Sequence, residues 1–172
     1  MSRAAAGIAA HGRLRGMFAS IKLGAARRAV TVLGVFEDTK HAPASLGDDR
    51  AGANALLGRA GFSGKTGQAE AGDGVLLLGM GKKGDLDTPA LRALGGQLVR
   101  TLESMEQHSA TIELHRSVPL GVADATTLGQ ALAEGMSIAN WRVDAFDGNA
   151  TKRSPRASAL RIASSDGEVA AG

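Results

Sequence analysis

Two glycine-rich stretches carry the residue types that phosphate chemistry uses. Residues 61–68 read GFSGKTGQ, and Gly64-Lys65-Thr66 has the letters that close a phosphate-binding loop. In such a loop, backbone N–H groups and a lysine cradle phosphates between a strand and a helix. The full pattern needs a glycine five positions before Gly64, and that position is Arg59; Gly58 and Gly61 flank it out of register. Residues 79–84 read GMGKKG and match G-x-G-x-x-G, the dinucleotide fingerprint. That chemistry sets the third glycine at the helix start, so that pyrophosphate meets free N–H groups. Here Asp85, Leu86 and Asp87 intervene, and two carboxylates would face the phosphate. An acid should also close the next strand to hold a ribose. That strand is expected to end at His115-Arg116, where an arginine would suit a 2′-phosphate instead. The plainer reading makes Gly79 and Gly81 a strand-to-loop turn, with Lys82 and Lys83 solvated.

Other chemistries find less support. His11, His41, His108 and His115 show no metal-ligand spacing, and the chain has no cysteine, which excludes thiolate metal sites, disulfides and a cysteine nucleophile. No serine lies in G-x-S-x-G, the hydrolase nucleophile elbow. Asp85 and Asp87 flank a helix start, where the helix dipole favours negative charge without any catalytic role. Read from its residues alone, the chain presents no catalytic, cofactor-binding or metal-binding residue to assign.

The elements that must position these stretches follow from length and pattern. At 172 residues the chain suits one domain able to bury its own core. Aromatic residues are 3% of it, so that core must be built from Leu, Val, Ile and Ala. No apolar run approaches the roughly 20 residues that span a bilayer, so a soluble protein with no membrane partner is expected. Residues 1–36 hold six Arg or Lys and no acid. Residues 1–16 are therefore expected to be a flexible basic leader, with an organelle transit segment as the alternative. Nucleic-acid binding would want aromatics for stacking beside those charges, and they are missing.

Residues 17–23 and 29–36 have the β-branched character of strands, and 38–48 read as a loop. Residues 49–60 repeat apolar residues at helical spacing, so a helix leads into GFSGKTGQ. The following AEAGDG is too glycine-rich to open a second helix, which leaves the loop without its strand-loop-helix setting. Residues 75–81, VLLLGMG, form an unbroken apolar run bounded by glycine, the pattern of a strand buried on both faces. Asp87 or Thr88 is the expected N-cap of the next helix, with Pro89 just inside it. Leu91, Leu94, Leu98, Val99, Leu102 and Met105 then make one apolar stripe. A strand over 110–115, a helix over 124–140, a polar basic loop over 147–157 and a short strand over 159–163 complete the chain. The order β-β-α-β-α-β-α-β implies an α/β three-layer sandwich, its mixed and mostly parallel central sheet flanked by helices.

Three stretches in this order resemble the N-terminal domain of the leucyl aminopeptidase, or cytosol aminopeptidase, family. They are FSGKTGQ, with Phe62, Gly64 and Lys65; VLLLGMGKKGDLDTPALRALGGQLVRTL, with Gly79, Gly81 and Lys82; and ALAEGMSIANWRVDAFDGNATK, with Trp141, Arg142 and Asp144. A tyrosine is more usual in the family where Trp141 stands. The resemblance covers residues 17–164, with 165–172 as the start of a linker or tail. It implies a macro-domain-like fold and a place at the outer corners of a hexamer. It also implies catalysis by a separate C-terminal domain holding two divalent metals, zinc or manganese. The family's Asn-Thr-Asp-Ala-Glu-Gly-Arg metal signature does not occur here, so no metal ligand or catalytic residue transfers to this sequence. The resulting expectation is a non-catalytic accessory domain, excised or truncated, of a cytoplasmic aminopeptidase. Its partners would be its own catalytic domain and further copies of itself. The alternatives are a stand-alone macro-like module for an ADP-ribose or nucleotide-type ligand, with residues 79–84 near the phosphates, and a DNA-binding accessory domain.

Overall fold

The computed structural model describes residues 20–23, 29–42, 47–118, 121–140 and 161–164, with Asp166, Glu168 and Ala171. Among the described residues, six strands form one sheet: β1 (Ser20–Leu23), β2 (Val30–Phe36), β3 (Ala69–Gly72), β4 (Val75–Gly81), β5 (Ser109–Ile112) and β6 (Arg161–Ser164). Their spatial order is β1-β6-β5-β2-β4-β3, with every neighbouring pair parallel except β3 against β4. The helices are α1 (Asp49–Leu57), α2 (Thr88–Ser104) and α3 (Ala125–Asn140), with short 3₁₀ turns at Lys83–Asp85 and Leu114–Arg116. The expected mixed, mostly parallel three-layer sandwich is the one observed.

Period-2 alternation along β2 and β4 divides the core. Val32, Leu76, Leu78 and Met80 face α2 and α3, joined by Leu91, Leu94, Leu98, Leu128, Leu132 and Met136. Leu33, Val35, Val75 and Leu77 face the other way, against Ala53 and Leu56 of α1. Both strands are thus apolar on both faces, which is why VLLLGMG reads as an unbroken run. On α2, Asp87 accepts the Ala90 N–H at 2.8 Å and Pro89 follows inside the first turn, as its sequence demands. At the start of α3, the Asp124 carboxylate accepts the Thr127 N–H at 2.7 Å. That bond, with a second from the Thr127 hydroxyl, holds the Asp124 carboxyl below its ordinary pKa. The two helices meet through glycines. A Cβ on Gly135 would run into the Arg92 carbonyl, and one on Gly95 would run into the Leu132 carbonyl.

The structure corrects the sequence reading in three places. The helix over 49–60 ends at Leu57, because Gly58 caps it and Arg59 and Ala60 already leave. The strand over 110–115 ends at Ile112: Glu113 turns the chain, and Leu114 folds across Gly34 of β2, where a Cβ would sit 2.8 Å from Leu114 Cδ2. The order also lacked a strand. AEAG at 69–72 is β3, antiparallel to β4, and Asp73-Gly74 makes the two-residue turn between them with φ of 49° and 78°. Asp-Gly between two strands is the strongest short-range hairpin signal, and the letters were there. The glycines beside them disguised it as a connection.

Candidate functional site

Residues 61–68 form a closed turn between α1 and β3, with Gly61, Gly64 and Gly67 at φ of 96°, 75° and 96°. Gln68 is its hub. Its side-chain oxygen accepts the Ser63 N–H at 2.9 Å, the Ser63 hydroxyl at 3.1 Å and the Lys65 N–H at 3.1 Å. Its amide nitrogen donates to the Gly61 carbonyl at 2.8 Å, and its backbone N–H donates to the Lys65 carbonyl at 3.0 Å. From α2, the Gln97 amide donates to the Gly67 carbonyl. Each such bond contributes about 1 kcal/mol net where the groups stay near water. Gln68→Ala removes four side-chain bonds at once and is expected to cost about 2 kcal/mol, readable as a lowered urea midpoint with unchanged slope.

The turn is locked onto the carboxyl ends of β2 and β4. The Gly81 N–H donates to the Gly64 carbonyl at 2.9 Å, the Glu37 N–H to the Gly81 carbonyl at 3.0 Å, and the Gly79 N–H to the Gln68 carbonyl at 2.8 Å. A Cβ on Gly64 would lie 2.5 Å from the Phe36 carbonyl oxygen, and one on Gly79 would lie inside the Lys65 carbonyl. Gly81 has φ of 76° and abuts the Thr66 hydroxyl. The two stretches that looked like separate phosphate loops are therefore two halves of one interlock. Their glycines are there because backbone meets backbone.

This geometry argues against phosphate chemistry at either stretch. The N–H groups of Ser63, Lys65, Gln68, Gly79 and Gly81 are all bonded within the interlock, so these five are not offered to an anion. The N-terminus of α2 is capped by Asp87 and separated from Gly81 by a 3₁₀ turn. One expectation changes in the fingerprint's favour: the next strand ends at Ile112, so an acid, Glu113, does follow it. Yet β2 lies between β4 and β5, whereas a dinucleotide fold keeps the fingerprint strand beside the next one. Glu113 is buried, and its carboxylate accepts from Arg116 Nε at 2.9 Å.

Sheets of this kind bind ligands where successive connections leave in opposite directions, here between the carboxyl ends of β2 and β5. Leu114, fully buried, lies across β2 at that point, packed with Met80 over Gly34. Of the histidines, His41 and His108 are exposed, His11 falls outside the described residues, and His115 sits behind Glu113 with Nε2 3.7 Å from its carboxylate. Among the described residues no three His, Asp or Glu gather as metal ligands. The His115 Nδ1 atom is buried without a partner, but the Arg116 guanidinium beside Glu113 opposes a cation there. These residues do not fit a two-metal centre. A cleft lined by Val30, Gly72, Asp73, Met105 and Gln107 lies at the opposite, amino end of the strands.

A family model for the cytosol aminopeptidase N-terminal domain matches residues 32–149. The chain belongs to the cytosol aminopeptidase family. The match contains the whole interlock, including Phe62, Gly64, Lys65, Gly79, Gly81 and Lys82. Trp141, Arg142 and Asp144 lie outside the described residues. Among solved structures, the bottromycin maturation enzyme BotP in complex with Mn is 22% identical over 84% of this chain, with a TM-score of 0.54. A second BotP structure is 22% identical over 83%, with a TM-score of 0.56. A mutant of tomato leucine aminopeptidase is 16% identical over 84%, with a TM-score of 0.60. The chain spans 28%, 29% and 32% of those three chains respectively. No curated protein matches the sequence. Gln68 and Gln97, which hold the turn over 61–68 in place, were missed by sequence reasoning. Nothing in the spacing of either distinguishes it from a surface glutamine.

Proposed function

We propose that this chain serves as the non-catalytic N-terminal accessory domain of a metal-dependent leucyl-type aminopeptidase of the cytoplasm. The parent enzyme would remove N-terminal residues from peptides. In it this domain would contribute to hexamer assembly and shape access to an active site on a separate catalytic domain. The observation that carries the reading is the interlock of residues 61–68 with Gly79 and Gly81. The two glycine-lysine stretches here build structure, and the N–H groups of Ser63, Lys65, Gln68, Gly79 and Gly81 are bonded in doing so. The fraction of the neighbouring enzymes that the chain spans supports a division of labour, with chemistry in the remainder. Zinc or manganese would be the parent's metals; BotP was solved with Mn, which supports a metal-dependent parent. The family's name supports the cytoplasmic setting. No helix among the described residues is long and apolar enough to cross a membrane.

The test is direct. This chain alone, freed of host peptidases and supplied with Mn²⁺ or Zn²⁺, should release no amine from a leucyl anilide above the blank. Added to a separately expressed family catalytic domain, it should shift that domain to a larger assembly on sizing. Turnover by the purified chain, or no effect on the catalytic domain's assembly, would overturn the reading.

A further inference from the structure

Strand β3 is one edge of the sheet. It pairs with β4 so that Glu70 faces Leu77 and Gly72 faces Val75, and the Gly79 N–H reaches the Gln68 carbonyl. By the alternation of an antiparallel ladder, Gln68, Glu70 and Gly72 turn their backbone groups toward β4, while Ala69 and Ala71 turn theirs outward. An outward row of this kind is a template for another strand. Here one side chain occupies it. Arg59, just past the C-cap of α1, donates from Nη1 to the outward Ala71 carbonyl at 3.0 Å and to the Glu70 carboxylate at 2.6 Å. Its guanidinium also lies over Gly72, where a Cβ would come within 3.0 Å of Nη2.

The strength of the ion pair does not account for this arrangement. The Arg59 side chain is 51% exposed and that of Glu70 is 30% exposed, and ion pairs in such settings add little to folding. A planar, forked cation that takes both an edge carbonyl and the adjacent carboxylate does something else well: it blocks strand addition and leaves a charge on the edge. We propose that Arg59 is a guard on the free edge of β3, and that the surface it closes takes a second copy of this chain by antiparallel pairing of β3 with β3. The occupant follows from the geometry. Once Arg59 releases the Ala71 carbonyl, Ala69 and Ala71 each offer one donor and one acceptor, symmetric about Glu70, so two identical edges are self-complementary across a twofold axis. Without the guard, the two Glu70 side chains keep this contact weak, because they carry like charges close to that axis.

Sedimentation velocity of the full chain across a hundredfold concentration range tests this. Arg59→Ala should add a species of twice the wild-type mass at the upper concentrations, and Ala71→Pro in the same background should remove it. Proline there removes only an outward N–H, which an edge strand tolerates. Arg59→Gln, which keeps a polar stem but loses the fork, should behave like the alanine variant and takes its place if that variant fails to fold. No mass doubling in a folded Arg59 variant would overturn the proposal. So would doubling that survives the proline, since the contact would then lie elsewhere.

Discussion

Replacing Gly79 with alanine is expected to destabilise the fold by about 3 kcal/mol, the upper end of the range for forced overpacking. The new methyl would occupy the Lys65 carbonyl. That carbonyl is held in turn by the Gln68 N–H, and the Gly79 N–H is held by the Gln68 carbonyl, so neither backbone has slack to give. Gly84→Ala is the informative partner. Its Cβ would meet nothing within 4 Å and its φ lies outside the left-handed region, so it should be neutral or slightly stabilising, by at most about 1 kcal/mol. If residues 79–84 bound a dinucleotide, the third glycine would matter as much as the first. Urea unfolding of the two variants separates the readings, and equal losses at both positions would contradict the interlock.

The second large effect is expected between α2 and α3. Gly95→Ala with Gly135→Ala sets one methyl against the Leu132 carbonyl and another against the Arg92 carbonyl. Each overpacks a backbone contact at up to about 3 kcal/mol. Each also gains about 1 kcal/mol because alanine favours a helix over glycine. Separating the same two helices relieves both clashes, so the losses will not simply add. A net loss of about 3 kcal/mol is expected, seen as a fall in Tm with α-helical circular dichroism kept below the transition. A raised Tm would mean that helix propensity outweighs the close approach. The exposed Arg92–Glu134 ion pair spans the same two helices and is too exposed to offset such a loss.

Much of this was legible without coordinates. The apolar run at 75–81, the Asp87 cap with Pro89 behind it, the stripe on α2 and the helix over 124–140 are local signals, decided by alternation, capping and periodicity. They fixed the elements to within a few residues and, with the motif order, pointed to the family. The strand at 69–72 escaped because a four-residue edge strand needs little apolar character, and its pairing is set by the Asp73-Gly74 turn rather than by pattern. The end of β5 escaped because it is set from a distance, by Leu114 filling the space over Gly34.

The glycine stretches divide the two kinds of information most clearly. From sequence alone, GFSGKTGQ fails as a phosphate loop because Arg59 breaks its register and no helix follows. GMGKKG could only be weakened as a dinucleotide loop by the residues after it. Neither reading shows that the two stretches touch. Contact between residues 64 and 81, or 65 and 79, depends on a hairpin returning the chain along β4, and only the folded sheet specifies it. What tertiary structure decided is the reason for the glycines: two backbones pass so close that no side chain fits between them. Arg59 carries the same lesson. In the sequence it is the letter that spoils a motif; in the fold it lies along the edge of β3.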